Sequence, residues 1–140
     1  MMDSELLDKL LYEIEDTEAI LKGISKLDDE EMLFAYCCEY NWDDGFEIPQ
    51  AILEHKKCTL AIALLLFYEG DGLSYLFSKD EADDVEDSDE DWYAFIENLY
   101  NQIKDGRYHL GEVHYENPLT KVEKYKINKI GVPAIFIEDI

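Results

Sequence analysis

Hydrophobic positions recur at helical spacing over most of the chain. In residues 4–26, Leu6, Leu7, Leu10, Leu11 and Ile14 fall on one face, and Ile20, Leu21, Ile24 and Leu27 continue it. This predicts a helix, with Asp16-Thr17 as a break or second start and Gly23 weakening the last turn. Asp28, followed three residues on by Glu31, reads as a capping box that opens the next helix. Leu33, Phe34, Cys37 and Cys38 form its buried stripe, and it should stop near Tyr40. Pro49 suits the first turn of a short helix to about His55. Thr59 then caps residues 60–68, which are apolar on almost every side, so this helix is expected at the centre of the molecule. Gly70-Asp71-Gly72 ends it, and residues 73–77 form a short packed apolar segment. Ser88 with Asp91 is a further cap, leading into residues 92–104, where Trp92, Phe95, Ile96, Leu99 and Ile103 share a face. Gly106 then stands where helices end.

The period changes after Gly106. Tyr108, Leu110, Val113 and Tyr115 alternate loosely, which suits one strand or a small hairpin. Thr120 and Glu123 form another capping box, a helix follows through Val122, Tyr125 and Ile130, and Gly131 and Pro133 stop it in the usual order. Residues 134–137 read as a short terminal strand or an extended packed tail. The expected fold is mainly α (α+β): a compact multi-helix domain of five to seven helices around residues 60–68, with a small β element near the C-terminus. At this length a single domain, residues 1–140, is the natural count. No internal repeat or long linker interrupts it.

Charge changes the picture. The chain carries 34 Asp and Glu against 12 Lys and Arg, a formal net charge of -22, yet 47% of its residues are hydrophobic. It is therefore an acidic protein that still buries a core, not a solvated acidic tail. Self-repulsion at that charge opposes compaction, and the simplest use for it is to bind something positive. The charge is unevenly spread: residues 1–105 hold 29 acids and 7 bases, and residues 106–140 hold five of each. An acidic surface argues against direct binding to nucleic acid or anionic lipid. Residues 1–11 place Asp3, Glu5 and Asp8 beside Lys9 where a signal peptide needs a basic start, so none is expected. The longest apolar run, residues 60–68, is too short to span a bilayer. Three cysteines, two of them adjacent, make no disulfide framework and read as reduced, buried core residues in a cytoplasmic protein.

Residue patterns for chemistry are weak. Asp87, Asp89 and Asp91 match the first three ligand positions of a calcium loop, but Trp92 stands where the turn needs Gly and Asn98 where a bidentate Glu is needed. His55, His109 and His114 share no helical spacing, and there is no Cys-x-x-Cys, phosphate loop or nucleophile elbow. No metal, no cofactor and no enzymatic activity are expected. What stands out is residues 80–91, with nine acids in twelve positions. Asp80, Asp83, Asp84, Glu86, Asp87, Asp89 and Glu90, with Trp92 as an aromatic anchor, are the candidate partner-binding residues. A loop solvated for solubility is the rival reading of the same run, and a core-capping role is the rival reading of Trp92.

The stretch Tyr40, Asn41, Trp42, Asp43, Asp44, Gly45 and Phe46, followed by Pro49 and the Ala-Leu-rich residues 58–68, resembles an uncharacterised bacterial family, domain of unknown function 4274. The resemblance covers roughly residues 30–77, and Asp71-Gly72 fits its end. It carries over no catalytic residues. It implies kinship with small proteins that sit beside bacterial toxins, hence an immunity role. The residues themselves give a structural reading: Asn41 to Gly45 turn the chain between helices, Trp42 and Phe46 bury the turn, and Asp43 or Asp44 accepts backbone N–H bonds ahead of Pro49.

The expectation that follows is a cytoplasmic immunity protein that occludes the basic active site of a cognate toxin, such as a nuclease, by steric and electrostatic blocking. A nucleic-acid mimic that inhibits DNA-binding proteins, and an acidic structural domain with no inhibitory role, are the alternatives.

Overall fold

The computed structural model of this chain describes residue 9 and residues 16–27, 29–40, 42, 45–78 and 90–140. Among the described residues the fold is mainly helical: α1 (Thr17–Lys26), α2 (Glu30–Glu39), α3 (Glu47–Leu53), α4 (Leu60–Glu69), α5 (Gly72–Ser78), α6 (Glu90–Lys104) and α7 (Lys121–Lys129), then a 3-10 turn at Ala134–Phe136.

The centre is α4. Every residue from Leu60 to Phe67 is buried, as an all-round apolar helix must be. The helices α2, α3, α5 and α6 pack around it, while α1 leans on α3 and α5 on α6. Amphipathic helices supply the shell: Ile20 and Ile24 from α1, and Phe95, Ile96, Leu99, Tyr100 and Ile103 from α6. An aromatic cluster fills the C-terminal half of the core. Phe67 meets Tyr75, Tyr100 and Phe136 with centroids at 6.5, 6.4 and 5.2 Å, and Tyr100 stacks on Phe136 at 4.8 Å.

Helix ends largely follow the sequence. Thr120 and Glu123 make the expected reciprocal capping box. Gly106 and Gly131 adopt φ of 80° and 91°. Each closes a Schellman motif: Arg107 and Gly106 donate to Gln102 and Ile103, and Val132 and Gly131 donate to Ile127 and Asn128. Two ends differ from expectation. The cap of α2 is Asp29, whose side chain accepts from Glu31 N at 2.7 Å, not Asp28, which lies outside the described residues. Thr59 is the N-cap of α4, but its hydroxyl donates to Glu30 Oε2 at 2.5 Å, and Leu60 N–H bonds His109 C=O instead. On α2 the buried residues are Met32, Leu33, Tyr36 and Cys37, so Cys38 is exposed and not core.

The β element expected after Gly106 is not seen among the described residues. Residues 107–120 are anchored by Tyr108 and Tyr115, as their pattern suggested, and by Leu119, which the pattern did not include, but Leu110 is 67% exposed. Their backbone groups go elsewhere than to a ladder. Glu112 N–H bonds the Glu30 carboxylate, Asn117 N–H bonds Asp139, and Leu119 N–H bonds the Asn117 side chain. Among the described residues only Tyr115 and Ile140 exchange both backbone bonds, at 2.8 and 2.9 Å, a single strand-like pair.

Candidate functional site

The turn after α2 is built from its aromatic residues. Tyr40 Oη donates to Gly45 C=O at 2.6 Å, and Gly45, at φ 96°, returns its N–H to Trp42 C=O. Tyr40 and Phe95 meet the Trp42 ring edge-on at 5.4 and 6.1 Å, and Phe46 stacks on Phe95 at 5.0 Å. Trp42 and Phe46 are thus half-buried against the core, and Pro49 is buried in the first turn of α3. Asn41, Asp43 and Asp44 lie outside the described residues. Among the described residues the buried Trp42 Nε1 has no hydrogen-bond partner.

Both tryptophans converge on the end of α4. A Cβ at Gly70 would stand 3.1 Å from Trp42 Cη2 and 2.9 Å from Leu66 O, so only glycine allows this approach. From the other side Trp92 Nε1 donates to Gly70 C=O at 2.6 Å, which fixes the first turn of α6 against the Gly70 turn. Asp71 follows at φ 67°, with its Oδ1 accepting from Ser74 Oγ at 2.8 Å.

Exposed carboxylates ring this end of the molecule: Glu69 and Asp71 at the end of α4, and Glu90 and Asp91 opening α6. Glu39, the last residue of α2, belongs with them. Although Cys38 is exposed as a residue, partial desolvation of its sulfur pushes the thiol up, and the nearby Glu69 and Glu39 carboxylates push it further. Burial pushes Tyr115 up as well, with Tyr68 and then Glu69 adding to it. Neither α2 nor α4 carries a base in its last turn. Negative side chains therefore sit on the negative ends of two helix dipoles, an arrangement that opposes the fold by about 0.3–1 kcal/mol at each end.

A second acidic group lies at the opposite end of α4. An open cleft of about 640 Å³ is lined by Asp29, Glu30, Glu31, Glu112, Lys56, Lys57 and His109. Its central carboxylate is occupied: Glu30 Oε2 accepts from Thr59 and Oε1 accepts from Glu112 N at 2.9 Å. Gly111 packs so close that a Cβ would fall 2.2 Å from Glu30 Oε2. Glu30 ties residues 109–112 to the start of α4. Among the described residues no group of three or more His, Cys, Asp and Glu is placed to hold a metal ion.

Of the sequence-predicted partner residues, Glu90 is exposed at the start of α6 and Trp92 is half-buried, bonded to Gly70. Asp80, Asp83, Asp84, Glu86, Asp87 and Asp89 lie outside the described residues. Sequence reading passed over Glu39, Glu69 and Asp71. The signal was present, as acids at the ends of two predicted helices with no lysine nearby to offset them. Among the described residues no helix is long and apolar enough to cross a membrane.

The family model described as a domain of unknown function, DUF4274, matches residues 28–104, which run from just before α2 to the end of α6 and include both tryptophans and the Gly70 turn. No curated protein and no solved structure matches the chain.

Proposed function

We propose that this chain, which belongs to the DUF4274 family, is an acidic binding protein, most concretely a cytoplasmic immunity protein that blocks a cognate basic toxin such as a nuclease domain. The family description assigns no activity, so the reading rests on the chain's own charge. The observation that carries it is the set of exposed carboxylates at the ends of α2 and α4, with no base in the last turn of either helix and set against the helix dipoles. Charge that weakens the fold has its favourable interactions outside it.

A nuclease holds phosphates with Lys and Arg, and a dense carboxylate surface is complementary to such a cleft. Complementarity of this kind accelerates encounter and suppresses wrong partners. Glu39, Glu69, Asp71, Glu90 and Asp91, together with the sequence-assigned residues 80–89, would face the partner. Trp92, its indole N–H already bonded to Gly70, offers a rigid aromatic edge beside them. The chain would act by occlusion and do no chemistry.

The test is a pull-down with the full chain against the source-cell proteome and a panel of secreted toxin domains, at low and high salt. One tight partner that releases only partly in salt supports immunity. Many DNA-binding proteins that all release in salt point to a nucleic-acid mimic. No partner under either condition overturns both and leaves an acidic structural domain.

A further inference from the structure

We propose that α7 carries a second docking surface, which receives the acidic helical body of another copy of this chain. Ile127 is the buried residue of α7. At about 100° per residue, the face opposite Ile127 presents Lys121, Val122, Tyr125 and Lys129. Val122 and Tyr125 are 62% and 67% exposed, and their three-residue spacing makes them neighbours. Glu123, the one acid of this helix, is turned away into the capping box with Thr120. The outward face therefore carries cations and apolar surface and no carboxylate. Single exposed apolar residues need no explanation. A Val-Tyr pair flanked by lysines, in a chain of net charge -22, is a different case.

Charge complementarity selects the occupant. Nucleic acid and anionic membranes are negative throughout, so they offer the acidic body of this chain no cation in return for the α7 contact. A second copy is also acidic, but it has a polarised surface: 29 acids and 7 bases in residues 1–105, against four lysines and one glutamate in α7. The two interactions differ in range. Net repulsion acts over tens of ångströms, and the α7 contact acts over a few. At about 0.01 M salt the screening length is roughly 30 Å and repulsion dominates. At about 0.1 M it is roughly 10 Å, so repulsion is cut while the contact survives. At about 1 M the contact is screened as well. Self-association should therefore pass through a maximum in salt, which neither a purely apolar dimer nor a simple ion-paired one does. The inference does not depend on a toxin partner.

Sedimentation equilibrium of the full chain, up to roughly 1 mM because one helix face makes a small interface, tests this at those three salt concentrations. Association strongest at the middle one is expected. Lys121→Glu/Lys129→Glu should weaken it about tenfold or more, and Tyr125→Ser severalfold. Lys121→Gln/Lys129→Gln replaces the reversal if far-UV circular dichroism shows misfolding. Carbodiimide cross-links between isotopically light and heavy copies should join α7 lysines to carboxylates within residues 17–105. A monomer at every salt, association that rises or falls steadily with salt, or a dimer indifferent to the α7 substitutions overturns the proposal.

Discussion

Replacing Glu39 and Glu69 together by glutamine should make the protein more stable. Both are exposed final residues of their helices, α2 and α4, and neither helix has a base in its last turn. A like charge at such an end is worth about 0.3–1 kcal/mol, and glutamine has nearly the same size and helix propensity as glutamate. The two ends together should yield about 1 kcal/mol. With a urea slope of about 1–3 kcal/mol/M, the unfolding midpoint should rise by roughly half a molar. Urea titrations at neutral pH, followed by far-UV circular dichroism and tryptophan fluorescence, measure it. The gain should shrink at about 1 M salt, where the screening length falls to roughly 3 Å. Cys38 reports the same field independently. After burial, Glu69 and Glu39 are what hold its thiol up, so the double variant should show a lower Cys38 pKa and faster reaction with a thiol reagent. An unchanged or lower midpoint, or a gain that high salt does not touch, would refute the dipole reasoning. With a partner in hand, the same variant should associate more slowly while unfolding later.

Three further outcomes follow from the packing and the ionisable groups. Glu30→Ala should lower stability by about 2 kcal/mol, because it strips the acceptor from the nearly buried Thr59 hydroxyl and from Glu112 N–H, and Glu30→Gln should recover part of that loss; urea titration reads both. Gly72→Ala should cost about 1–3 kcal/mol by overpacking, since the new Cβ would meet the fully buried Phe67 ring at 2.4 Å and its carbonyl oxygen at 2.5 Å; a variant as stable as the parent sinks this reading of α5. Burial pushes the Cys58 thiol up from 9.0 to about 12 and raises the Tyr68, Tyr75, Tyr108 and Tyr115 phenols. The folded state therefore holds protons that the unfolded chain releases above about pH 9, so stability should be fully present below that pH and fall as pH climbs toward 12, seen as declining urea midpoints together with late tyrosinate absorbance.

Helix placement was legible because it rests on local chemistry. The all-apolar residues 60–68 have nowhere to go but the centre, and Gly106 and Gly131 fall where Schellman geometry needs φ > 0. Thr120 and Glu123 fix their cap without outside help. What escaped the sequence depends on partners distant in the chain. Thr59 is the N-cap of α4 as its sequence position implies, but its hydroxyl bonds Glu30, 29 residues away, and not the backbone of the helix. Tyr108 to Tyr115 looked like a strand, but a ladder needs a neighbouring strand, and this segment meets the Glu30 carboxylate, the start of α4 and, at Tyr115 alone, the backbone of Ile140. Cys38 looked buried because it stands four residues after Phe34, itself only half-buried at the edge of the packed arc. The convergence of Trp42 and Trp92 on Gly70 joins residues from α6 and the turn after α2, and no spacing rule announces it.

The two ends of α4 show why the partner surface is assigned to one and not the other. The cleft end has an open concavity and four carboxylates, Asp29, Glu30, Glu31 and Glu112, and by shape alone it would be chosen. Yet its two central acids, Asp29 and Glu30, are accounted for by the fold. Glu30 and Asp29 stand at the positive end of α2, Asp29 caps that helix, and Glu30 accepts two hydrogen bonds that bind α4 to residues 109–112. Lys56 and Lys57 offset part of their charge. At the other end Glu39 and Glu69 stand on the negative ends of α2 and α4, oppose both dipoles and raise the pKa of a neighbouring thiol. Concavity matters for a small ligand, which must be enclosed. A basic protein surface requires an exposed field that the fold has not already neutralised, and along α4 that field lies at the Gly70 end.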